Sequence, residues 1–145
     1  MDNCSGTSSG CTASYNSALG SKAGQSGTAA NANKTGDHNT FLGALSGPGS
    51  TTQLTNATAI GANAIVSRDN ALVLGSIGGL NGAKGSVNVG IGTHNPTTTL
   101  QVAGGDMSTA TAGKGLIVRS PDGTKCARIG IDNSGVLVAS AITCP

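Results

Sequence analysis

Small side chains dominate this chain and limit how it can fold. Gly, Ala, Thr, Ser and Asn together make up 88 of the 145 residues, whereas Leu, Ile, Val and Phe make up only 27. There is no Trp or Glu, and there is a single Tyr. An ordinary globular enzyme needs larger side chains to close its core and line a pocket. The composition therefore favours an architecture in which backbones pack closely and several chains share one core.

Charge and helix propensity narrow the fold class further. Eight Lys and Arg against six Asp give a net charge of +2, and only 10% of the residues are charged. A disordered chain is usually held apart by a much higher net charge. Helix is disfavoured because Glu is absent, Gly is frequent, and Thr, Ser and Asn compete for backbone hydrogen bonds. We therefore expect an ordered, all-β protein.

The amino-acid composition also argues against nucleic-acid binding and membrane insertion. The basic residues are scattered and stacking aromatics are missing, so we expect no nucleic-acid partner. No apolar run approaches the roughly 20 residues that span a bilayer, so we expect no membrane insertion. The first ten residues, MDNCSGTSSG, lack the basic and apolar regions of a signal peptide. We expect an extracellular protein, at a cell surface or virion surface, whose leader was removed or which was exported by assembly into a phage particle.

A short unit recurs along the chain: Asn, a few small or apolar residues, an aliphatic residue and Gly. The aliphatic residue falls at positions 19, 42, 60, 74 and 91, so the steps are 23, 18, 14 and 17 residues. An imperfect period of this kind predicts stacked β coils, with one coil for each repeat. Within such a stack, we expect Ile60 and Leu74 to point inward.

Gly and Asn in this unit have their own expected roles. Gly61 and Gly75 would turn the backbone where a Cβ atom would collide with a neighbour. Asn56 and Asn70 would occupy the corners, because Asn tolerates the left-handed conformation. One coil cannot bury its apolar face alone, so we expect the coils to stack and the rolls to join into trimers.

Composition divides the chain into three parts. Residues 1–38 are rich in Gly, Ser and Ala, with only Tyr15 and Leu19 as aromatic or branched apolar side chains, so we expect neighbouring chains to order them if they are ordered at all. Residues 39–105 carry the repeats. Residues 106–145 contain two strong turn signals, Pro-Asp-Gly at 121–123 and Asn-Ser-Gly at 133–135, which predict a three-stranded β-meander.

Two stretches resemble a known family. Residues 54–75, LTNATAIGANAIVSRDNALVLG, resemble the head repeats of trimeric adhesins and phage tail fibres, and their 14-residue step matches the left-handed β-roll of that family. Residues 88–102, NVGIGTHNPTTTLQV, are similar to a segment that often follows such repeats, and the C-terminal part resembles short β modules of similar fibres. The resemblance implies an elongated β-roll or β-prism in an intertwined homotrimer, ending in a small β-meander cap and displayed for attachment.

The four cysteines fall into two local couples, Cys4 with Cys11 and Cys126 with Cys144. An even number of cysteines in a chain that we expect to be extracellular favours two disulfides. Four cysteines allow three pairings, and the local one is favoured because each couple lies within one segment. Free or interchain thiols and a metal site are the alternatives. A metal site is the weakest of them, because neither couple has the Cys-x-x-Cys spacing or a nearby His.

Other candidate chemistry is weaker still. His38 and His94 are the only histidines, and we interpret them as loop residues at repeat corners, although a trimer axis would bring three copies together around a metal or anion. The six Asp are spread along the chain, so a glycosidase pair would have to form between chains. The Gly-rich strings lack the spacing of a phosphate-binding loop. We therefore expect no enzyme activity, no catalytic or metal-binding residue and no cofactor.

These observations predict a non-enzymatic attachment protein: a segment of a trimeric surface fibre that displays a receptor-binding surface. Residues 47–53, residues 76–86 or the C-terminal cap would contact a cell-surface glycan or protein, although no contact residue is assigned. A structural subunit of a self-assembling extracellular filament is the alternative. An ice-binding repeat is disfavoured because the steps are irregular.

Overall fold

The computed structural model describes residues 11–145. The chain divides into two compact units, the first ending at Ala103 and the second spanning Gly104–Pro145. The described part is all-β, and its only helical element is a short 3-10 turn at Ala29–Asn31. The strands are β1 Ser17–Leu19, β2 Thr40–Leu42, β3 Gly47–Pro48, β4 Ala57–Ile60, β5 Ile65–Val66, β6 Ala71–Leu74, β7 Val89–Ile91, β8 Leu100–Val102, β9 Leu116–Arg119, β10 Cys126–Ile131 and β11 Leu137–Ile142.

The first unit is built from parallel coils stacked in register. β1, β2, β4 and β6 form one parallel sheet, and β3 pairs with β5 in a second. The register aligns Leu19 with Leu42, Leu42 with Ile60, and Ile60 with Leu74. The predicted steps of 23, 18 and 14 residues are therefore confirmed as the offsets between successive strands.

Each of the first three coils contains a segment of constant length. Residues 15–25, 38–48 and 56–66 each run from a corner through a strand of the four-stranded sheet. The second and third segments end in β3 and β5, and Gly24, near the end of the first, donates its amide to the carbonyl of Ser46. The difference in coil length lies entirely in the connections that follow, residues 26–37, 49–55 and 67–69. A coil therefore lengthens without any change in the register of the strands.

The thin core between the two sheets is made mostly of alanine. Phe41 is its only aromatic ring and is 1% exposed. The other members of the core cluster are Ala23, Leu54, Ala57, Ala59, Ala64 and Val66. Small residues let the two sheets approach closely, and the space between them then accommodates few larger side chains.

The expectation that Ile60 and Leu74 point inward is wrong. Successive side chains of a strand point to opposite faces, and in β4 it is Ala57 and Ala59 that are completely buried. Ile60 is half-buried on the other face, and Leu74 is 47% exposed. Ile60 and Leu74 lie outside because the narrow interior is already filled by the alanines, Phe41, Leu54 and Val66.

The fifth repeat does not join the stack. β7 pairs instead with β8, with Val89 opposite Leu100 and Ile91 opposite Val102. The open side of Gly75 is occupied by Val87, whose Cβ would lie 2.5 Å from a Cβ added to that glycine. The step of 17 residues from Leu74 to Ile91 is therefore not a strand offset, because Val87 closes the position where a further coil would stack.

Residues 11–38 belong to the same stack: residues 15–37 form its first coil, and residues 12–14 hydrogen-bond to residues 34–38. β1 pairs with β2, and the amide of Thr12 donates a hydrogen bond to the carbonyl of Lys34 at 2.9 Å. Ala13 and Ala32 are buried within this segment. The expectation that neighbouring chains must order it is wrong for these residues, because backbone hydrogen bonds and buried alanines within the chain replace bulky side chains.

The second unit is the predicted three-stranded antiparallel meander, in the order β11–β10–β9. A turn at Asp132–Gly135 joins β10 to β11, and the amide of Gly135 donates to the carbonyl of Asp132 at 3.0 Å. Cys126 lies opposite Ile142. Cys144 therefore lies two residues beyond the last paired position of β11.

Candidate interaction surfaces

An exposed aliphatic ladder runs across the outer face of the four-stranded sheet. It consists of Leu19, Leu42, Ile60 and Leu74, which occupy aligned positions on four consecutive strands. Leu19 is 70% exposed and Leu42 41% exposed. Leu72, on the same face, is 60% exposed. Adjacent strands lie about 4.8 Å apart, so these side chains form one continuous apolar surface of the kind that marks an interaction site.

A second column lies at the corner that precedes this sheet. Tyr15, His38, Asn56 and Asn70 are aligned by the register and all have a positive φ, between 54° and 59°. The Tyr15 and His38 rings stack with centroids 4.9 Å apart and planes 15° apart. Asn56 Nδ2 donates to Asn70 Oδ1 at 2.9 Å. The predicted corner roles of Asn56 and Asn70 are confirmed, and His38 is a corner residue as expected.

The repeated Asn occupies two different positions in the coils. Asn39 lies one residue after the corner, is 1% exposed, and uses its amide to join successive coils. Its Nδ2 donates to the carbonyl of Leu54 at 2.6 Å, and its Oδ1 accepts from the amide of Ala57 at 2.8 Å. Asn16 makes the equivalent contact, since its Oδ1 accepts from the amide of Asn39 at 2.7 Å. These side chains act as internal hydrogen-bonding groups and are not available to a ligand.

The candidate receptor loop at residues 47–53 is held against the roll. Its first two residues, Gly47 and Pro48, form the buried strand β3. Gln53 Oε1 accepts hydrogen bonds from the amides of Lys34 and Thr35 at 2.6 and 2.9 Å. Only the tip of this segment, Thr51 and Thr52, is exposed.

The candidate loop at residues 76–86 is exposed but tethered through Asn81. Asn81 Nδ2 donates to the carbonyls of Leu45 and Asn63 at 2.7 and 3.1 Å, and its Oδ1 accepts from the amide of Gly27 at 2.5 Å. One side chain therefore binds backbone groups of three successive coils. Beside this anchor, Ile77 is 50% exposed and Leu80 is 47% exposed.

We expect Asn81→Asp to lower the stability of the first unit by about 2 kcal/mol. Aspartate tolerates the positive φ of this position but cannot donate to the two carbonyls, which would be left without a partner. The measurement is urea unfolding followed by circular dichroism. Asn88→Asp is the matched control, because Asn88 Nδ2 donates only one bond, to the carbonyl of Pro96. Equal losses in the two variants would contradict the anchoring role.

The disulfide between Cys126 and Cys144 is present, with the two Cα atoms 5.1 Å apart. It joins Cys144, two residues after β11, to Cys126 at the start of β10. Arg119 from β9 donates a hydrogen bond to the carbonyl of Pro145 at 2.9 Å. Cys11 is also disulfide-bonded. Cys4, its predicted partner, lies outside the described residues.

Four aspartates, Asp37, Asp69, Asp122 and Asp132, accept hydrogen bonds from backbone amides. Asp37 accepts from the amide of Ser14 at 2.6 Å, and Asp69 accepts from the amide of Thr55 at 2.9 Å. Asp122 accepts from the Ser120 hydroxyl and from Thr124, and these hydrogen bonds lower the pKa of its carboxyl. Asp132 Oδ1 accepts from the amides of Ser134 and Val136. Asp122 and Asp132 therefore stabilise local turns, whereas Asp37 and Asp69 join backbone segments 23 and 14 residues apart. None of the four is paired with a second carboxylate.

His94, the second histidine, is exposed in the connection between β7 and β8. Within residues 11–145, no group of three or more His, Cys, Asp or Glu could hold a metal ion. The same part of the chain contains no helix long and apolar enough to cross a membrane. Comparisons of the chain with protein-family models, curated proteins and solved structures find no match.

Proposed function

We propose that this protein is a non-enzymatic segment of a homotrimeric surface fibre, of the kind found in bacterial adhesins and phage tail fibres, and that it serves in attachment. The observation that carries the proposal is the aliphatic ladder of Leu19, Leu42, Ile60 and Leu74. A continuous apolar row on four adjacent strands has an unfavourable contact with water, which a shared interface removes.

The composition supports the same proposal. The core of the roll is mostly alanine around Phe41, with Leu54 and Val66 as its larger aliphatic residues. Alanine buries little apolar area, so such a core contributes little to the free energy of folding. Packing the ladders of several chains together adds the large side chains that the interior lacks.

The remaining features support a role outside the cell. The Cys126–Cys144 disulfide suits an oxidising compartment. With the ladder inside a trimer, the corner column at Tyr15 and His38 and the loop at residues 76–86 would remain available to a glycan or protein receptor. Three copies of each surface would bind with avidity, so that weak individual contacts suffice.

The test is the native mass of the chain by light scattering across a concentration series, with and without reductant. We expect a constant mass near that of three chains. A mass that rises continuously with concentration would support the filament subunit instead. A monomer at all concentrations would refute the shared interface.

A further inference from the structure

The second unit carries a completely apolar sheet face. Residues paired directly across an antiparallel sheet share a face, and successive residues alternate between the two faces. The pairs Val118–Ala127 and Ile131–Leu137 fall on the same face by this rule. The members of this face, which we call the apolar face, are Leu116, Val118, Ala127, Ile129, Ile131, Leu137, Ala139 and Ala141.

The apolar face is open to solvent in the single chain. Ile131 and Leu137 are each 72% exposed, and Leu116 is 61% exposed. Among residues 104–145, all of which the structure describes, Cys126 alone is buried. A small sheet depends on burying its hydrophobic face for stability, so packing the apolar face against another surface would stabilise this unit.

The opposite face is different in charge. It carries Arg119 and Arg128, together with Cys126 and its disulfide. On this side the carbonyl of Lys114 lies 3.8 Å from a Cβ added to Gly130. Identical copies meeting through this face would bring like charges together, whereas copies meeting through the apolar face would not.

We infer that the apolar face of each meander packs against the apolar faces of other copies of this chain. The inference rests on the homotrimer proposed above and assigns it a second interface, separate from the aliphatic ladder. A copy of the same chain fits this role because the apolar face carries no charge, so that copies can meet through it without like-charge repulsion. An uncharged apolar surface is also typical of the core of homo-oligomer interfaces.

Photocrosslinking tests this interface with an unusually close control. Val118 and Ile117 are neighbours on β9, are 41% and 39% exposed, and lie on opposite faces. A photoreactive diazirine amino acid of leucine size is placed at one position or the other in the full chain. After irradiation, crosslinked multimers are quantified on a denaturing gel and the crosslinks are mapped by mass spectrometry.

We expect at least fivefold more interchain crosslinking from position 118 than from position 117, with crosslinks to residues of the apolar face. Equal yields in a chain that light scattering finds trimeric would overturn this interface while leaving the proposed function standing. Crosslinks from position 118 only to residues 11–103 of the same chain would also overturn it. A monomeric chain without interchain crosslinks would refute both the interface and the proposed trimer.

Discussion

Replacing Gly43 with alanine is expected to destabilise the roll by about 3–5 kcal/mol, which is a large part of the roughly 5–15 kcal/mol stability of a typical domain. Gly43 has a φ of +128°, where an L side chain is strained. A Cβ atom at this position would also lie 2.5 Å from the carbonyl carbon of Gly61 in the next coil. Gly61 cannot move away freely, because its own Cβ position is already 3.2 Å from the Cα of Gly75.

Gly79→Ala separates the two causes. Gly79 also has a positive φ, of +84°, but nothing lies within 4 Å of an added Cβ. This variant is therefore expected to lose only about 1–2 kcal/mol, from backbone strain alone. Both variants can be compared by thermal and urea unfolding with far-ultraviolet circular dichroism. The close stacking of glycine backbones would be refuted if Gly43→Ala were no less stable than Gly79→Ala.

Replacing Leu42 with aspartate is expected to convert the proposed trimer to monomers. Leu42 lies inside the aliphatic ladder, between Leu19 and Ile60. A carboxylate in an apolar interface loses its hydration without gaining a partner, which costs several kcal/mol for each chain. Related copies would also bring like charges together. The native mass at micromolar concentration should therefore fall from three chains to one.

Leu80→Asp is the control for this experiment. Leu80 is 47% exposed, close to the 41% of Leu42, but it lies in the loop at residues 76–86 and outside the ladder. We expect this variant to keep the native mass of the unsubstituted chain. Circular dichroism of both variants checks that the roll itself remains folded. A trimer that persists in folded Leu42→Asp would show that the ladder is not the interface.

The sequence was sufficient to predict the register of the coils and the turns of the meander. These features depend on local chemistry: Asn56 and Asn70 accept a positive φ, and the Pro-Asp-Gly and Asn-Ser-Gly signals favour tight turns. Their spacing along the chain therefore survives into the structure. The fifth repeat was misleading because a matching motif does not reveal that Val87 blocks the end of the stack.

The direction of the aliphatic side chains could not be predicted in the same way. Size alone suggested that Ile60 would point inward, whereas the neighbouring Ala59 is the buried residue. The outcome depends on how closely the two sheets approach, which is a property of the whole coil rather than of one residue. The contacts of Asn81 were equally inaccessible, because they join it to residues 18, 36 and 54 positions away.

The variable connections between coils have an evolutionary consequence. Residues 26–37, 49–55 and 67–69 differ in length although the segments before them are equal. Insertions and deletions in these connections leave the alignment of the ladder and of the glycines unchanged. Selection could therefore diversify the connections while leaving the four-stranded sheet, the proposed assembly surface, unchanged. Under the proposed function, such a protein could change what it recognises without changing how it assembles.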